Sequence, residues 1–267
     1  TYDFFASSEI NLNDKISLRT GARVIFSEQF DTQYVMSLSA KYAFAKNWEL
    51  RGIVGTSPRL PNYDEMYSLL VDVNHDVRGN ENLNPEKGVS AFLHLKNNWE
   101  INSNTNLEQK VSIWKIDLKD KIDLVIIGEE PLRYQYNNVD KYNVQGIMYM
   151  NQFSVGNLIG GVGATFTGIK QSIDQTDVVE KQKDKYFYSL QANANASYKI
   201  PKTGTTFSVF YKYNGEREQY VLKTDAATQQ QYLLKGKQQA FSSMDASIRQ
   251  SFFQNKINLT FLKNQYH

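Results

Sequence analysis

The sequence predicts an all-β protein, a transmembrane antiparallel β-barrel whose strands meet lipid on one face and water on the other. Three observations carry this reading. First, the stretch around Tyr188 to Tyr198 alternates strictly. Tyr188, Leu190, Ala192, Ala194, Ala196 and Tyr198 share one face, and Ser189, Gln191, Asn193, Asn195 and Ser197 share the other. Ten residues at roughly 3.3 Å each, tilted about 45°, span about 23 Å, the height of an outer-membrane apolar band with an aromatic girdle at each edge. A soluble sandwich also alternates, but its buried face is usually branched and bulky, not small. Second, the chain is polar on average, and no run approaches the roughly 18 apolar residues that a membrane-spanning helix needs. Barrel strands show lipid only at every second residue, so a polar mean is expected of them. Third, short and long connections alternate along the chain.

The alternation can be followed in order. Tyr2, Phe4 and Ala6 oppose Asp3, Phe5 and Ser7, so residue 1 falls inside a strand pattern and the chain is expected to be a piece of a longer protein. Ile16, Leu18, Thr20, Ala22, Val24 and Phe26 oppose Ser17, Arg19, Gly21, Arg23 and Ser27. Tyr34, Met36, Leu38, Ala40, Tyr42 and Phe44 oppose Ser37, Ser39, Lys41 and Ala43. Val89, Ala91, Leu93, Leu95 and Trp99 oppose Ser90, His94, Lys96 and Asn98. Phe207, Val209, Tyr211 and Tyr213 oppose Thr206, Ser208 and Lys212, and Met244, Ala246 and Ile248 oppose Ser243, Asp245, Ser247 and Arg249. A charge facing lipid at mid-depth costs roughly 2–4 kcal/mol. Arg19, Arg23, Lys41, His94, Gln191, Asn193, Asn195, Asp245 and Arg249 are therefore expected to face the lumen. Tyr34, Phe44, Tyr188, Tyr198, Tyr211 and Tyr213 are expected in the lipid-facing girdles. Asp245 and Arg249, four apart on the lumen face, are candidates for an internal ion pair.

Short turns are expected at Asn13-Asp14, Lys46-Asn47, Asn102-Ser103-Asn104, Gly156-Asn157, Pro201-Lys202-Thr203-Gly204 and Gln254-Asn255-Lys256. Longer polar connections are expected at 57–87, 128–139, 172–185 and 214–238, with only the one near Phe30-Asp31 short on that side. Short turns on one rim and long loops on the other match periplasmic and extracellular ends, and six short turns imply about twelve strands. Many are longer than the usual 9–11 residues and should extend as sheet above the membrane. Segment 107–127 is the least regular, with Trp114 and Ile116 on the nominal lumen face. It reads as a strand with a bulge, or as one packing against something inside.

Composition narrows the function classes. Tyrosine (17) and phenylalanine (15) are abundant enough for girdles, and cysteine is absent, which excludes a disulfide scaffold and a thiolate metal site. The formal net charge of +2 gives no nucleic-acid footprint. No nucleophile elbow, phosphate-cradling glycine loop or histidine pair is present, so no enzymatic activity is expected.

Two stretches stand out. Ser57-Pro58-Arg59-Leu60-Pro61-Asn62-Tyr63-Asp64-Glu65-Met66-Tyr67 is followed by Arg78-Gly79-Asn80-Glu81-Asn82-Leu83-Asn84-Pro85-Glu86-Lys87-Gly88. Pro58 and Pro61 cannot donate to a ladder and end a strand, while Pro85 biases Asn84 toward a turn. The pair resembles a signature of TonB-dependent outer-membrane receptors: a "FRAP"-like strand end with an "ELY" follow-up, then a "GNPNLKPEKS" box opening the next strand. Here the first box is changed to Ser-Pro-Arg-Leu-Pro, and Glu81 stands at the first proline of the second. Lys115–Ile122 is similar to the family's "NDIKDLI" strand. Asn137-Asn138-Val139 through Gln145-Gly146 resembles its "YxNVxxxxxxGxE" segment, with Ile147 at the acidic position. These boxes cover roughly 57–150 in the family's order, as one box alone would not.

The resemblance implies a barrel of about 22 strands closed around an N-terminal plug. Residues 1–267 are then expected to be part of such a barrel, with the plug domain and the terminal strands absent. It implies an outer-membrane location in a Gram-negative bacterium and TonB-energised uptake of a ferric siderophore, haem or cobalamin. The implied partners are the receptor's own plug, the TonB complex acting through it, outer-membrane lipid and lipopolysaccharide, and a small-molecule or metal-chelate ligand. No cofactor is required; calcium in the outer loops is one option, and haem enters only as a transported ligand. A passive channel, an outer-membrane hydrolase and a soluble β-sandwich are the rival readings.

Candidate ligand-binding residues are His75, Arg59, Tyr63, Tyr67, Arg133, Tyr134 and Tyr136. In haem-uptake members of the family a histidine between the two boxes ligates iron, and His75 lies there; it also reads as an ordinary loop histidine. The two boxes equally read as rim bracing, and Arg133, Tyr134 and Tyr136 as loop packing. Asp72, Asn74 and Asp76 have spacing that can begin a calcium loop, although Val77 and Leu83 break the EF-hand continuation. A solvated loop is the alternative there.

Overall fold

The computed structural model describes residues 1–72, 76–129, 132–172, 185–224, 231–253 and 256–266. Along the chain run β1 (Tyr2–Asn11), β2 (Ile16–Phe26), β3 (Gln33–Ala45), β4 (Trp48–Thr56), α1 (Tyr63–Tyr67), β5 (Leu69–Val71), β6 (Asp76–Arg78) and β7 (Lys87–Asn102). Then follow β8 (Thr105–Glu129), β9 (Leu132–Val155), β10 (Leu158–Ser172), β11 (Phe187–Ile200), β12 (Thr205–Asn214), β13 (Arg217–Thr224), β14 (Gln231–Gln238), β15 (Phe241–Phe252) and β16 (Ile257–Tyr266). Twelve of these form one wall in the order β1-β2-β3-β4-β7-β8-β9-β10-β11-β12-β15-β16, each antiparallel to its neighbours. The sheet is open, with β1 and β16 at its edges.

Turn chemistry sets the short rim. Asn13 Oδ1 accepts from the Lys15 and Ile16 amides at 2.9 Å each, folding the chain between β1 and β2. Gly156 (φ +57°) and Gly204 (φ +71°) supply the left-handed residues of the β9–β10 and β11–β12 turns. In the turn between β15 and β16, Gln254 and Asn255 lie outside the described residues.

Register divides the side chains between two faces. Ser17, Lys41, Arg51, His94, Ser112, Met148, Thr165, Gln191 and Asn214 stand side by side across the inner face. Arg19, Arg23, Asn193, Asn195, Asp245 and Arg249 share that face by strand parity. The outer face carries Ala40, Gly52, Leu93, Ile113, Ile147, Phe166 and Leu190 in one row. Tyr34, Tyr188, Tyr198, Tyr211 and Tyr213 share the outer face. Phe44 joins them by ring contact with Tyr42 at 5.8 Å and Trp48 at 6.1 Å. Leu93, Ile113, Ile147, Phe166 and Leu190 are each 44–50 % exposed, an apolar surface far beyond what water-soluble monomers present.

Three expectations need correction. Residues 128–129 and 132–139, expected in a loop, belong to β8 and β9, because Leu124, Val125, Tyr134 and Tyr136 favour strand and pair on either side of a register shift between Ile126 and Gly128. The stretch 214–238 contains the β13–β14 hairpin. Segment 107–127 is a strand whose pairing to β7 and β9 is continuous over 107–118, and the expected irregularity lies at its outer end, where the register to β9 shifts between Ile126 and Gly128. Trp114 lies over Gly146, so the ring finds its partner within the wall. Finally, Asp245 and Arg249 form no ion pair, since four residues along a strand separate side chains by roughly 13 Å. Arg19 and Arg23 pair across to Glu9 (2.6 Å) and Asp3 on β1. Of the long connections, 173–184 lies outside the described residues.

The buried apolar core sits on the long-loop rim, not in the wall. Met66, Leu83 and Ile122 cluster there with Phe30 and Tyr136 packed against them, and Val139 is 2 % exposed.

Candidate functional site

The two boxes fold together as a cap on the long-loop rim. Asn62 starts α1: its side chain accepts from the Glu65 amide at 2.8 Å, and Glu65 Oε2 accepts from the Asn62 amide at 2.9 Å. This reciprocal capping box turns the chain back after Pro61 and buries Glu65 and Met66. Glu65 then has a second duty. Arg59 Nη1 donates to both its carboxylate oxygens at 2.8–2.9 Å, while Arg59 Nη2 donates to Glu86 at 2.7 Å. One planar guanidinium thus joins the two boxes. The two carboxylates hold Arg59 firmly charged, with a pKa above the ordinary arginine value, Glu86 contributing more than Glu65.

Glu86 also closes a gap in the sheet. β7 begins opposite Lys119, so beyond that point β8 has no ladder partner on this side among the described residues. The Ile122 amide there donates to Glu86 Oε1 at 2.8 Å, satisfying a donor that would otherwise be buried alone. Nearby, Asp120 adopts φ +55°. Asn138 Nδ2 donates to the Asp120 carbonyl at 2.7 Å and to the Asn84 carbonyl at 3.0 Å, and Asn138 Oδ1 accepts from the Asn84 amide at 2.8 Å. Asn80 Nδ2 donates to Asn137 Oδ1 at 3.2 Å, and the Asn80 amide to the Glu65 carbonyl at 2.9 Å. The "GNPNLKPEKS"-like box and the Asn137-Asn138-Val139 segment therefore meet directly.

The β5–β6 hairpin continues the cap. β6 adds to β9 in parallel, with Val77 opposite Tyr134 and Arg78 opposite Gln135. Asp76 is buried and accepts from Arg78 Nε at 2.7 Å and Nη2 at 3.1 Å, with Arg133 Nε at 3.6 Å. Arg78, and then Arg133, hold the Asp76 carboxyl below the usual carboxylate range.

The expected site residues are now placed. Arg59 is committed to two carboxylates, Arg133 to Asp76, and Tyr136 to the apolar cluster. Tyr63 and Tyr67 meet on the exposed side of α1 with ring centroids 5.1 Å apart and planes tilted by 45°, and the Tyr67 hydroxyl accepts from Gln29 Nε2 at 3.2 Å. Tyr63 is 76 % exposed and is the side chain of this set most open to a ligand. His75 and Asn74 lie outside the described residues. Asp72 sits in an exposed bend beyond β5, and the arginine contacts of Asp76 occupy its oxygens. On the inner face, His94 Nδ1 lies 2.8 Å from Ser112 Oγ.

Glu65, Glu86, Asn84 and Asn138 are the organising residues that the sequence reading did not single out. Asn62-x-x-Glu65 is a legible capping box. The partners of Glu86 and Asn138 come from 18 to 54 residues away in sequence, and no local pattern marks them.

Comparison with known proteins agrees with this architecture. Residues 1–263 match the family model described as TonB dependent receptor-like, beta-barrel. The siderophore receptor PirA from Acinetobacter baumannii superimposes with a TM-score of 0.66 at 15 % identity, over 94 % of this chain and 39 % of that one. The FrpB iron transporter from Neisseria meningitidis gives 0.68 at 11 % identity, over 98 % and 40 %. The copper transporter OprC gives 0.69 at 15 % identity, over 97 % and 40 %. The chain thus spans about two fifths of the length of these structures, and at such identities the likeness is one of fold. With a two-faced antiparallel wall, a braced cap on the long-loop rim and a family match over nearly its whole length, the chain belongs to the TonB-dependent receptor β-barrel family.

Proposed function

We propose that this chain forms part of the barrel of an outer-membrane receptor in a Gram-negative bacterium, and that the receptor takes up a scarce nutrient at the expense of TonB. The family match over residues 1–263 carries this reading. The wall supports it: an apolar outer face suits lipid, and a polar inner face suits a hydrated plug. In this mechanism the outer loops capture substrate, the plug blocks the lumen, and TonB acting on the plug opens a path. The candidate cargoes are a ferric siderophore, haem or cobalamin; the solved structures of similar fold include siderophore, iron and copper transporters. Calcium in the outer loops remains a proposal of the Asp72-x-Asn74-x-Asp76 spacing alone.

The test is uptake by cells carrying or lacking the complete receptor gene, with each of the three cargoes supplied as the sole source. Loss of growth on one cargo, reproduced by deleting TonB, supports the proposal. Uptake that persists without TonB would make the protein a passive channel. If haem is the cargo, His75→Ala should abolish the Soret shift on haem titration of the receptor.

A further inference from the structure

The cap ends in an unpaired strand edge. β5 pairs with β6 and β6 with β9, so among the described residues the row β9-β6-β5 stops at β5. The Gly79 amide donates to the Ser68 carbonyl at 2.6 Å, which makes Ser68 and Gly79 a hydrogen-bonded pair. Bonded and unbonded pairs alternate along an antiparallel ladder. Leu70 and Val77 are then the next bonded pair, and the N–H and C=O groups of Leu69 and Val71 point away from β6. Among the described residues nothing bonds to these four groups. An edge of this kind is a template for a further strand.

The side chains at this edge are apolar. Leu69 is 75 % exposed and Leu70 and Val71 55 % each, so both faces of β5 are open. Ser68 joins β5 directly to α1 with its exposed Tyr63 and Tyr67. The charge nearby has one sign. Over residues 57–88 six carboxylates stand against Arg59, Arg78 and Lys87. Arg59 is taken by Glu65 and Glu86, Arg78 by Asp76, and Lys87 belongs to the outer face of β7 by strand parity. Asp64 and Glu81 stay exposed, without a cationic partner among the described residues. The Asn80 amide, bonded to the Glu65 carbonyl at 2.9 Å, keeps Glu81 beside α1. Exposed Glu28 and Asp31 extend this acidic rim, because Gln29 bonds to Tyr67 and Phe30 packs on the buried cluster.

We propose that the open edge of β5 binds an extended peptide of basic and apolar residues, which adds as the next strand of the β9-β6-β5 row. Two features select this occupant. Main-chain groups at Leu69 and Val71, two residues apart on one edge, match the repeat of an extended backbone and not the outline of a compact chelate. The unpaired carboxylates of Asp64, Glu81, Glu28 and Asp31 favour a cationic partner over an anionic one. Apolar side chains of the peptide then cover Leu69, Leu70 and Val71, and its basic ones lie toward the acidic rim. The proposal goes beyond the uptake reading and takes from it only that the long-loop rim faces outward from the cell.

The test uses the complete receptor in detergent micelles. The probe is a fluorescent octapeptide of alternating lysine and valine with both ends blocked, and binding is read by anisotropy. The parent receptor should bind it. The same peptide N-methylated at every amide keeps its charge but cannot donate to the edge, and should bind on the order of tenfold more weakly. A glutamate–valine peptide should not bind. Val71→Pro removes one donor from the open edge and spares the bonds to β6, and should weaken binding about three- to tenfold. Asp64→Asn with Glu81→Gln should weaken it about fivefold at low salt and leave it unchanged at high salt. Unaltered exchange at the Ile122 amide confirms that the cap is intact in each variant, and the methylated peptide tests the edge on the unaltered receptor. No binding by the parent receptor, or equal binding of the methylated or the glutamate peptide, would overturn the proposal. Binding is read apart from uptake, so its failure leaves the TonB-energised reading standing.

Discussion

Removing the Arg59 guanidinium tests whether the cap is held by charge. Arg59→Ala leaves Glu65 and Glu86 facing each other with side chains only 11–12 % exposed. Breaking a fully buried pair by deleting one partner costs about 3–5 kcal/mol. Arg59 itself is 40 % exposed, so water reaches the site and the smaller cost of losing hydrogen bonds to charged groups applies, about 2–3 kcal/mol for the several bonds lost together. The opening is local, because the wall strands are tied to their neighbours by their own ladders. Hydrogen exchange of the Ile122 amide, which donates to Glu86, reports it. That amide should exchange about 30- to 150-fold faster in Arg59→Ala, by the conversion of about 1.4 kcal/mol per tenfold. Arg59→Lys should recover only part of the loss, since an ammonium cannot fork to two carboxylates at once. Exchange at Ile122 within threefold of the parent protein would refute the argument and make the ion pair incidental.

Three further outcomes follow from the same geometry. Asp76 has its carboxyl pKa depressed by Arg78 and Arg133, so its contribution to docking β5–β6 is present above the unfolded value of about 4 and lost as pH falls through the lower folded value. Asp76→Asn should therefore make residues 69–78 protease-sensitive at neutral pH and remove the acid dependence. Gly79→Ala should destabilise the cap by about 1–3 kcal/mol in thermal unfolding, because an added Cβ would meet the Met66 carbonyl oxygen at 2.4 Å and backbone must move. Asn138→Ala removes a side chain bonded to Asn84 and Asp120, and should speed exchange at the Asn84 amide by an amount corresponding to about 1–3 kcal/mol.

The wall was legible because its physics is local. Period-two alternation assigns every residue from Tyr188 to Tyr198 to a face, and the register agrees. Turn residues such as Asn13 and Gly156 act on their own neighbours, so the short rim could be read in order. The outer stretches were harder. Residues 128–139 look polar enough for a loop, yet pairing with β8 and β6 keeps them extended, and both partners are distant in sequence. Asp245 and Arg249 show the opposite error. A four-residue spacing suits a helix face, where it brings side chains together, but on β15 it carries them apart. Between β13 and β14 the sequence carries no Asn-Gly or Asp-Gly pair, so nothing in it set the hairpin apart from a loop.

The boxes that identify the family are also the parts least able to identify the cargo. Among the described residues Arg59 donates its side-chain bonds to Glu65 and Glu86, Glu86 also accepts from Ile122, and Asn138 divides its amide between Asn84 and Asp120. Each of these groups spends its hydrogen-bonding capacity on holding segments 57–67, 78–88 and 120–139 together. A residue whose polar atoms are satisfied internally gains little by also meeting a ligand, since it would first lose the bonds it has. On the proposed uptake function, the same bracing would serve any cargo, and discrimination would come from side chains that the brace leaves open. On the described part of the cap those are Tyr63 and the exposed Leu69, Leu70 and Val71 beside it. Tyr63→Ala should accordingly alter cargo affinity without altering exchange at Ile122, whereas Arg59→Ala should do the reverse at a saturating cargo concentration. A Tyr63 variant that loosened the Ile122 amide would show that the two functions are not separable.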